Sequence, residues 1–154
     1  MGGDHHGADP AVWPDGAPEV GQRASRSREV SREDIVRFSE ISGDFNPLHY
    51  DEAVAAASPF GEIVVQGGVT SAILNAVVAE DLPGPGTVFL QLDLSFVAPV
   101  RPGDTIVGEV EVTDVRHDKP ITKLDVHVRR GDGVAALRGT AVCFTAPIPT
   151  GRDG

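Results

Sequence analysis

The residues best suited to chemistry lie in one short run, Ser42-Gly43-Asp44-Phe45-Asn46-Pro47-Leu48-His49. It brings a carboxylate, a carboxamide and an imidazole within one turn's length of chain. Pro47 fixes its own φ at about −65° and drives Asn46 out of the α region, so the run is an ordered turn that aims polar side chains. A carboxylate and an imidazole that share a water can take its proton and pass it on. Further along, Val65-Gln66-Gly67-Gly68 opens a long apolar stretch. If that stretch is a helix, its first N–H groups lack intrahelical acceptors and its dipole favours negative charge there. Gly67, without a side chain, lets a substrate oxygen approach the backbone. The two runs therefore read as an acid/base pair and an oxyanion site. Plainer readings stand beside this one: Asp44 as a turn residue, His49 as a structural histidine, Gly67-Gly68 as a tight turn. A metal held by Asp44 and His49 lacks a third ligand nearby in the sequence.

These side chains need elements to hold them. Ser31-Arg32-Glu33-Asp34 starts a helix, with Ser31 as N-cap and acids in the first turn. Ile35, Val36, Phe38 and Ile41 give it an apolar face, and Gly43 ends it. The polar stretch from Gly21 to Val30 before it reads as an edge strand or arm. Asp51 to Ala57 forms a short helix broken by Ser58-Pro59-Phe60-Gly61. From Gly68 to about Leu82 the chain is apolar nearly all round, which predicts a helix enclosed by other elements. After Pro83-Gly84-Pro85-Gly86 the period changes to two. Leu90, Leu92, Leu94 and Phe96 fall on one face of a first strand. Strands over residues 105–115, 121–130 and 134–145 follow, the last two joined through Gly131-Asp132-Gly133. The layout is α+β, an antiparallel sheet wrapped around a long buried central helix.

Composition bounds the rest. A chain of 154 residues with 40% hydrophobic content suits one domain with a real core. Residues 1–18, rich in Gly, Pro, Asp and His, read as a mobile tail that includes the isolated Trp13 and the pair His5-His6. Residues 19–147 read as the single domain and 148–154 as a flexible tail. A net charge of −10 argues against nucleic acid and anionic membrane surfaces as partners. The lone Cys143 sits in a strand-like apolar run and reads as core filler with no disulfide. No apolar run approaches the roughly 20 residues of a membrane span, and no secretory pattern opens the chain, so the expected location is cytoplasmic.

From Ser31 to Ala146 the chain resembles the MaoC-like, R-specific enoyl-CoA hydratases. The likeness is carried by Ser42 to His49, by Gln66-Gly67 with the apolar helix behind them, and by Phe96-Val97-Ala98-Pro99-Val100-Arg101-Pro102-Gly103-Asp104. The resemblance implies a hot-dog fold, usually dimeric. It implies a hydro-lyase that adds or removes water across the 2,3-double bond of an enoyl or (R)-3-hydroxyacyl thioester. The carrier would be coenzyme A or an acyl carrier protein, with no other cofactor and no metal. By the same resemblance Asp44 and His49 activate the water, Asn46 fixes the loop, and the Gly67 N–H stabilises the enolate oxygen. Gln66, Gly68, Asn75 and Pro47 are the expected substrate-facing residues. Two positions depart from the family pattern: Gln66 stands where many members have His, and Asn75 where members often have Ser. The phosphates of coenzyme A would want a basic edge, for which Arg101, Arg116, Lys119, Lys123, Arg129, Arg130 and Arg138 are available. A hot-dog thioesterase and a non-catalytic acyl-thioester-binding subunit are the alternatives.

Overall fold

The structure, a computed structural model, describes residues 9–149. Strand β1 (Arg23–Glu29) leads into helix α1 (Arg32–Ser42), then a 3-10 turn (Pro47–His49) and helix α2 (Glu52–Ala57). Helix α3 (Gly67–Ala76) runs on into a π turn (Val77–Asp81). Strands β2 (Thr87–Phe96), β3 (Thr105–Val115), β4 (Ile121–Arg130) and β5 (Ala135–Thr145) complete the chain. All strand pairs are antiparallel, in the order β1-β3-β4-β5-β2. This is the hot-dog arrangement, a curved sheet with α3 against its concave face.

The local signals account for the helix ends. Ser31 Oγ accepts from the Asp34 N–H while the Asp34 carboxylate accepts from the Ser31 N–H, a reciprocal capping box. At the other end Gly43 takes φ 77°, the left-handed region, and its N–H closes on Ser39 O. Asp51 caps α2 by accepting from the Ala53 and Val54 N–H groups.

The core lies between α3 and the inner faces of β3, β4 and β5. Ile73, Leu74, Val77 and Val78 meet Ile106, Val110, Leu124, Val126, Leu137 and Ala141 there. Helix and sheet approach so closely that a Cβ on Gly108 would stand 2.7 Å from Ile73 Cγ2. Cys143 is fully buried in this core, and burial pushes its thiol up to about 11.

Four expectations change. The central helix is enclosed on its sheet side, but Gly67, Ala72 and Asn75 on its other side are exposed. In β2, Leu92 and Phe96 share the core-facing side with Ala141 and Leu137, as alternation predicts. Yet Leu92 and Phe96 stay exposed because β2 is the edge strand, although Phe89 and Leu94 pack against the core, and Leu90 falls at a register shift between Phe89 and Gln91 and has no partner in the ladder. Ile41, counted on the apolar face of α1, is 84% exposed. Trp13, read as part of a mobile tail, is buried, and its indole N–H donates to Arg116 O at 2.8 Å. His5 and His6 lie outside the described residues. Among the described residues no helix is long and apolar enough to cross a membrane.

Candidate active site

The loop after α1 is held by its own polar side chains. Ser42 Oγ donates to Phe38 O and accepts the Asp44 N–H at 3.0 Å. Asp44 Oδ1 accepts the Asn46 N–H, and Asn46 Oδ1 accepts the Leu48 N–H, each at 3.1 Å. Asn46 O then accepts the His49 N–H at 3.0 Å. These are successive Asx-type turns, the local alternative to helix that Asp and Asn favour. Asn46 thus starts the 3-10 turn that Pro47 stiffens. One oxygen of Asp44 is used within the loop, and the other, Oδ2, faces His49 Nε2 at 3.6 Å.

His49 is fixed from its far side. Its Nδ1 lies 2.6 Å from Val64 O. A carbonyl can only accept, so Nδ1 carries a hydrogen, and in the neutral ring the Nε2 lone pair is left toward Asp44. Nε2 and Oδ2 are then two acceptors side by side. They suit a single water that donates one hydrogen to each. The His49 side chain is 10% exposed, whereas that of Asp44 is 39% exposed, so the pair stands at the edge of solvent rather than in a sealed core.

A cavity of about 390 Å³ opens beside this pair. His49, Asn46, Leu48, Gly67 and Thr70 line it on one side, and Phe96 through Val100 on the other, with Phe60, Val64 and Val65 between. Gly67 is the first residue of α3 and no side chain caps that end of the helix. First-turn N–H groups have no intrahelical acceptor, so the Gly67 N–H could serve an oxygen bound in the cavity. Packing constrains the position as well. A Cβ there would stand 2.9 Å from Phe96 Cε1.

The expected site residues therefore divide. Asp44, Asn46, His49 and Gly67 come together, with Asp44 meeting the cavity through His49. Gly68, Gln66, Pro47 and Asn75 are not among the cavity-lining residues. Gly68 serves helix packing, since a Cβ on it would fall 2.0 Å from Phe38 Cζ. Gln66 is buried, and its Nε2 donates to Ile35 O and to Ser39 Oγ, both at 3.1 Å. Pro47 acts through the backbone of the turn, and Asn75 is exposed two turns along α3. Thr70, Phe96 and the Val64 carbonyl escaped the sequence reading. Thr70 was findable, being one helical turn after Gly67 on the same face; the Val64 carbonyl carried no side-chain signal at all. Of the basic set, Arg101, Arg116 and Arg130 are engaged by Glu62, Asp118 and Asp132. Among the described residues no group of three or more His, Cys, Asp or Glu could hold a metal ion.

Comparison with known proteins points one way. Residues 15–134 match the family model described as MaoC like domain. The chain is 40% identical over 124 residues to an (R)-specific enoyl-CoA hydratase of Aeromonas caviae, covering 80% of this chain and 92% of that protein. It is 40% identical over 124 residues to a 3-hydroxybutyryl-CoA dehydratase of Methylorubrum extorquens, covering 80% and 78%. Among solved structures, the (R)-hydratase of A. caviae superposes with a TM-score of 0.80 at 38% identity, over 84% of this chain and 98% of that one.

Proposed function

The chain belongs to the MaoC-like domain family, and on that premise we propose that it is a hydro-lyase adding water reversibly across the 2,3-double bond of an enoyl thioester to give the (R)-3-hydroxyacyl thioester. The observation that carries this is the placing of Asp44 Oδ2 3.6 Å from His49 Nε2, beside a cavity that Gly67 also lines. In the hydration direction the two acceptors hold one water. Its oxygen bonds to C3 as one hydrogen passes to the pair. The electrons of the double bond move toward the thioester carbonyl, whose oxygen takes up negative charge against the Gly67 N–H and the helix dipole. The proton then returns to C2, so one water is added and the pair is restored. Asn46 keeps the loop in register. The steps consume water alone and call on no cofactor beyond the carrier of the thioester.

The carrier is coenzyme A or an acyl carrier protein. Residues 19–147 make up the catalytic domain with Trp13 of the preceding stretch packed on it, and the family match over residues 15–134 supports most of that span. A homodimer is the working unit, supported by the uncovered edge of β2 and its exposed Leu90, Leu92 and Phe96. A cytoplasmic setting fits a chain whose one cysteine is buried and free.

The test is hydration of crotonyl-CoA, followed by loss of the conjugated enoyl absorbance. Asp44→Asn and His49→Ala should each lower kcat by about 10²–10⁴-fold, the range for one general acid or base. Both variants should keep the wild-type circular dichroism. Wild-type rates in both would remove the assignment, and release of free thiol with the double bond intact would mark a thioesterase instead.

A further inference from the structure

One buried hydroxyl stands between the two halves of this site. Ser39, on α1, is completely buried. Its Oγ lies 2.7 Å from Asp44 O, 2.5 Å from Tyr50 Oη and 3.1 Å from Gln66 Nε2. The proton count leaves one arrangement. Asp44 O only accepts, so Ser39 donates to it. Ser39 has one hydrogen, so Tyr50 must donate to Ser39. The Gln66 amide faces Ile35 O, another obligate acceptor, so its nitrogen lies on that side and gives a second hydrogen to Ser39. Gln66 Oε1 has no partner among the described residues. The amide is thus held by its donors alone. One donated and two accepted bonds use the full capacity of the Ser39 hydroxyl.

What these bonds join is specific. Asp44 is the acid of the loop, Tyr50 directly follows His49, and Gln66 directly precedes Gly67. The Ser39 carbonyl adds a further tie, accepting the Gly43 N–H at 2.8 Å. Tyr50 is also stacked on Phe45 at 5.9 Å between ring centroids, which clamps the loop from outside.

We propose that Ser39 is a positioning residue that locks the Asp44–His49 loop to the N-terminus of α3, and so sets the spacing between the water-activating pair and the oxyanion glycine. This rests on the hydratase assignment above. Ser39 touches no reacting atom. Its effect reaches the chemistry through Asp44 O on one side and the residue before Gly67 on the other. A small error in that spacing weighs on the transition state more than on ground-state binding.

The test compares wild type, Ser39→Ala, Tyr50→Phe and the double variant, each assayed with crotonyl-CoA and by amide hydrogen exchange over residues 43–50. Ser39→Ala should lower kcat about tenfold with KM changed less than about twofold, and should speed exchange across the loop. Tyr50→Phe keeps the ring stack and loses only the donor, so it should give a smaller loss of the same kind. The double variant should match Ser39→Ala, because Tyr50 acts through the hydroxyl already removed. Wild-type kcat in folded Ser39→Ala, or losses that multiply in the double variant, would overturn the proposal. Should Ser39→Ala fold poorly, the half-exposed Tyr50→Phe decides: unchanged kcat and unchanged exchange overturn it. An inactive wild type would instead overturn the hydratase assignment, and loop exchange alone would then judge the role of Ser39.

Discussion

His49 takes its proton arrangement from a main-chain oxygen, Val64 O, and its working partner from a side chain five residues earlier. Gly67 is constrained from two directions, by the substrate oxygen it must admit and by the Phe96 ring already against it. Gly67→Ala should therefore fold but lower kcat/KM on crotonyl-CoA by about 10–10²-fold, short of the full loss of an oxyanion donor. Phe96→Leu in the same chain should recover part of it by making room for the methyl. Steady-state kinetics on the single and double variants decide this; no recovery would mean that the added methyl obstructs the substrate itself.

At the scale of elements, α1 is the support of the loop, and its N-terminus is anchored electrostatically. Burial pushes the Asp34 carboxyl up, but the Ser31 N–H, the Ser31 hydroxyl and the Arg28 guanidinium outweigh it and hold the group below its ordinary value. A carboxyl depressed in the folded state stabilises it above the unfolded value, and that contribution is lost as pH falls through the folded value. Asp34→Asn should therefore cost about 1 kcal/mol at neutral pH. The deficit should shrink in acid below the carboxylate range, where the wild-type group is itself protonated. Thermal unfolding of both proteins at pH 7 and at about pH 2, below the depressed value, checks the sign, and an equal deficit at both would assign the loss to packing. The caps of α1 and α2 were legible in the sequence, because each is written in residues two to four apart, and the start of α3 showed in the glycines that open an apolar run. The π turn after Ala76 and the exposed side of α3 were not. The first has no compositional signature in the run Val77–Asp81, and the second depends on where the sheet ends.

At the scale of the whole molecule, the same edge explains the misplaced leucines. Alternation correctly put Leu92 and Phe96 on the inner side of β2, but sidedness is not burial at the edge of the sheet, where Phe96 lies against Gly67 and is still 55% exposed. In the homodimer proposed above, a second copy would cover them. Leu90→Asp with Leu92→Asp should shift the protein from dimer to monomer in sedimentation and lower its activity. Retention of the wild-type sedimentation coefficient would place any interface elsewhere. Trp13 makes the complementary point at the other end of the sheet. A residue with no periodic neighbours looked detachable, yet it reaches Arg116, 103 positions away, with its indole N–H.

The sequence by itself determined the parts that short-range physics writes: Ser31 and Gly43 at the ends of α1, Pro47 in the turn, Gly67 at the head of a helix, and the alternation of the strands. It also brought Asp44, Asn46 and His49 into one loop, since Asx turns and proline act over a few residues. Only the tertiary structure decided which atoms those side chains use. The Val64 carbonyl that sets the His49 tautomer is 15 residues away, and the Gln66–Ser39 bond spans 27. Gln66 was expected at the substrate and is found bracing the loop from within, because the meeting of α1 with the start of α3 buries its amide and obliges its hydrogens to find acceptors.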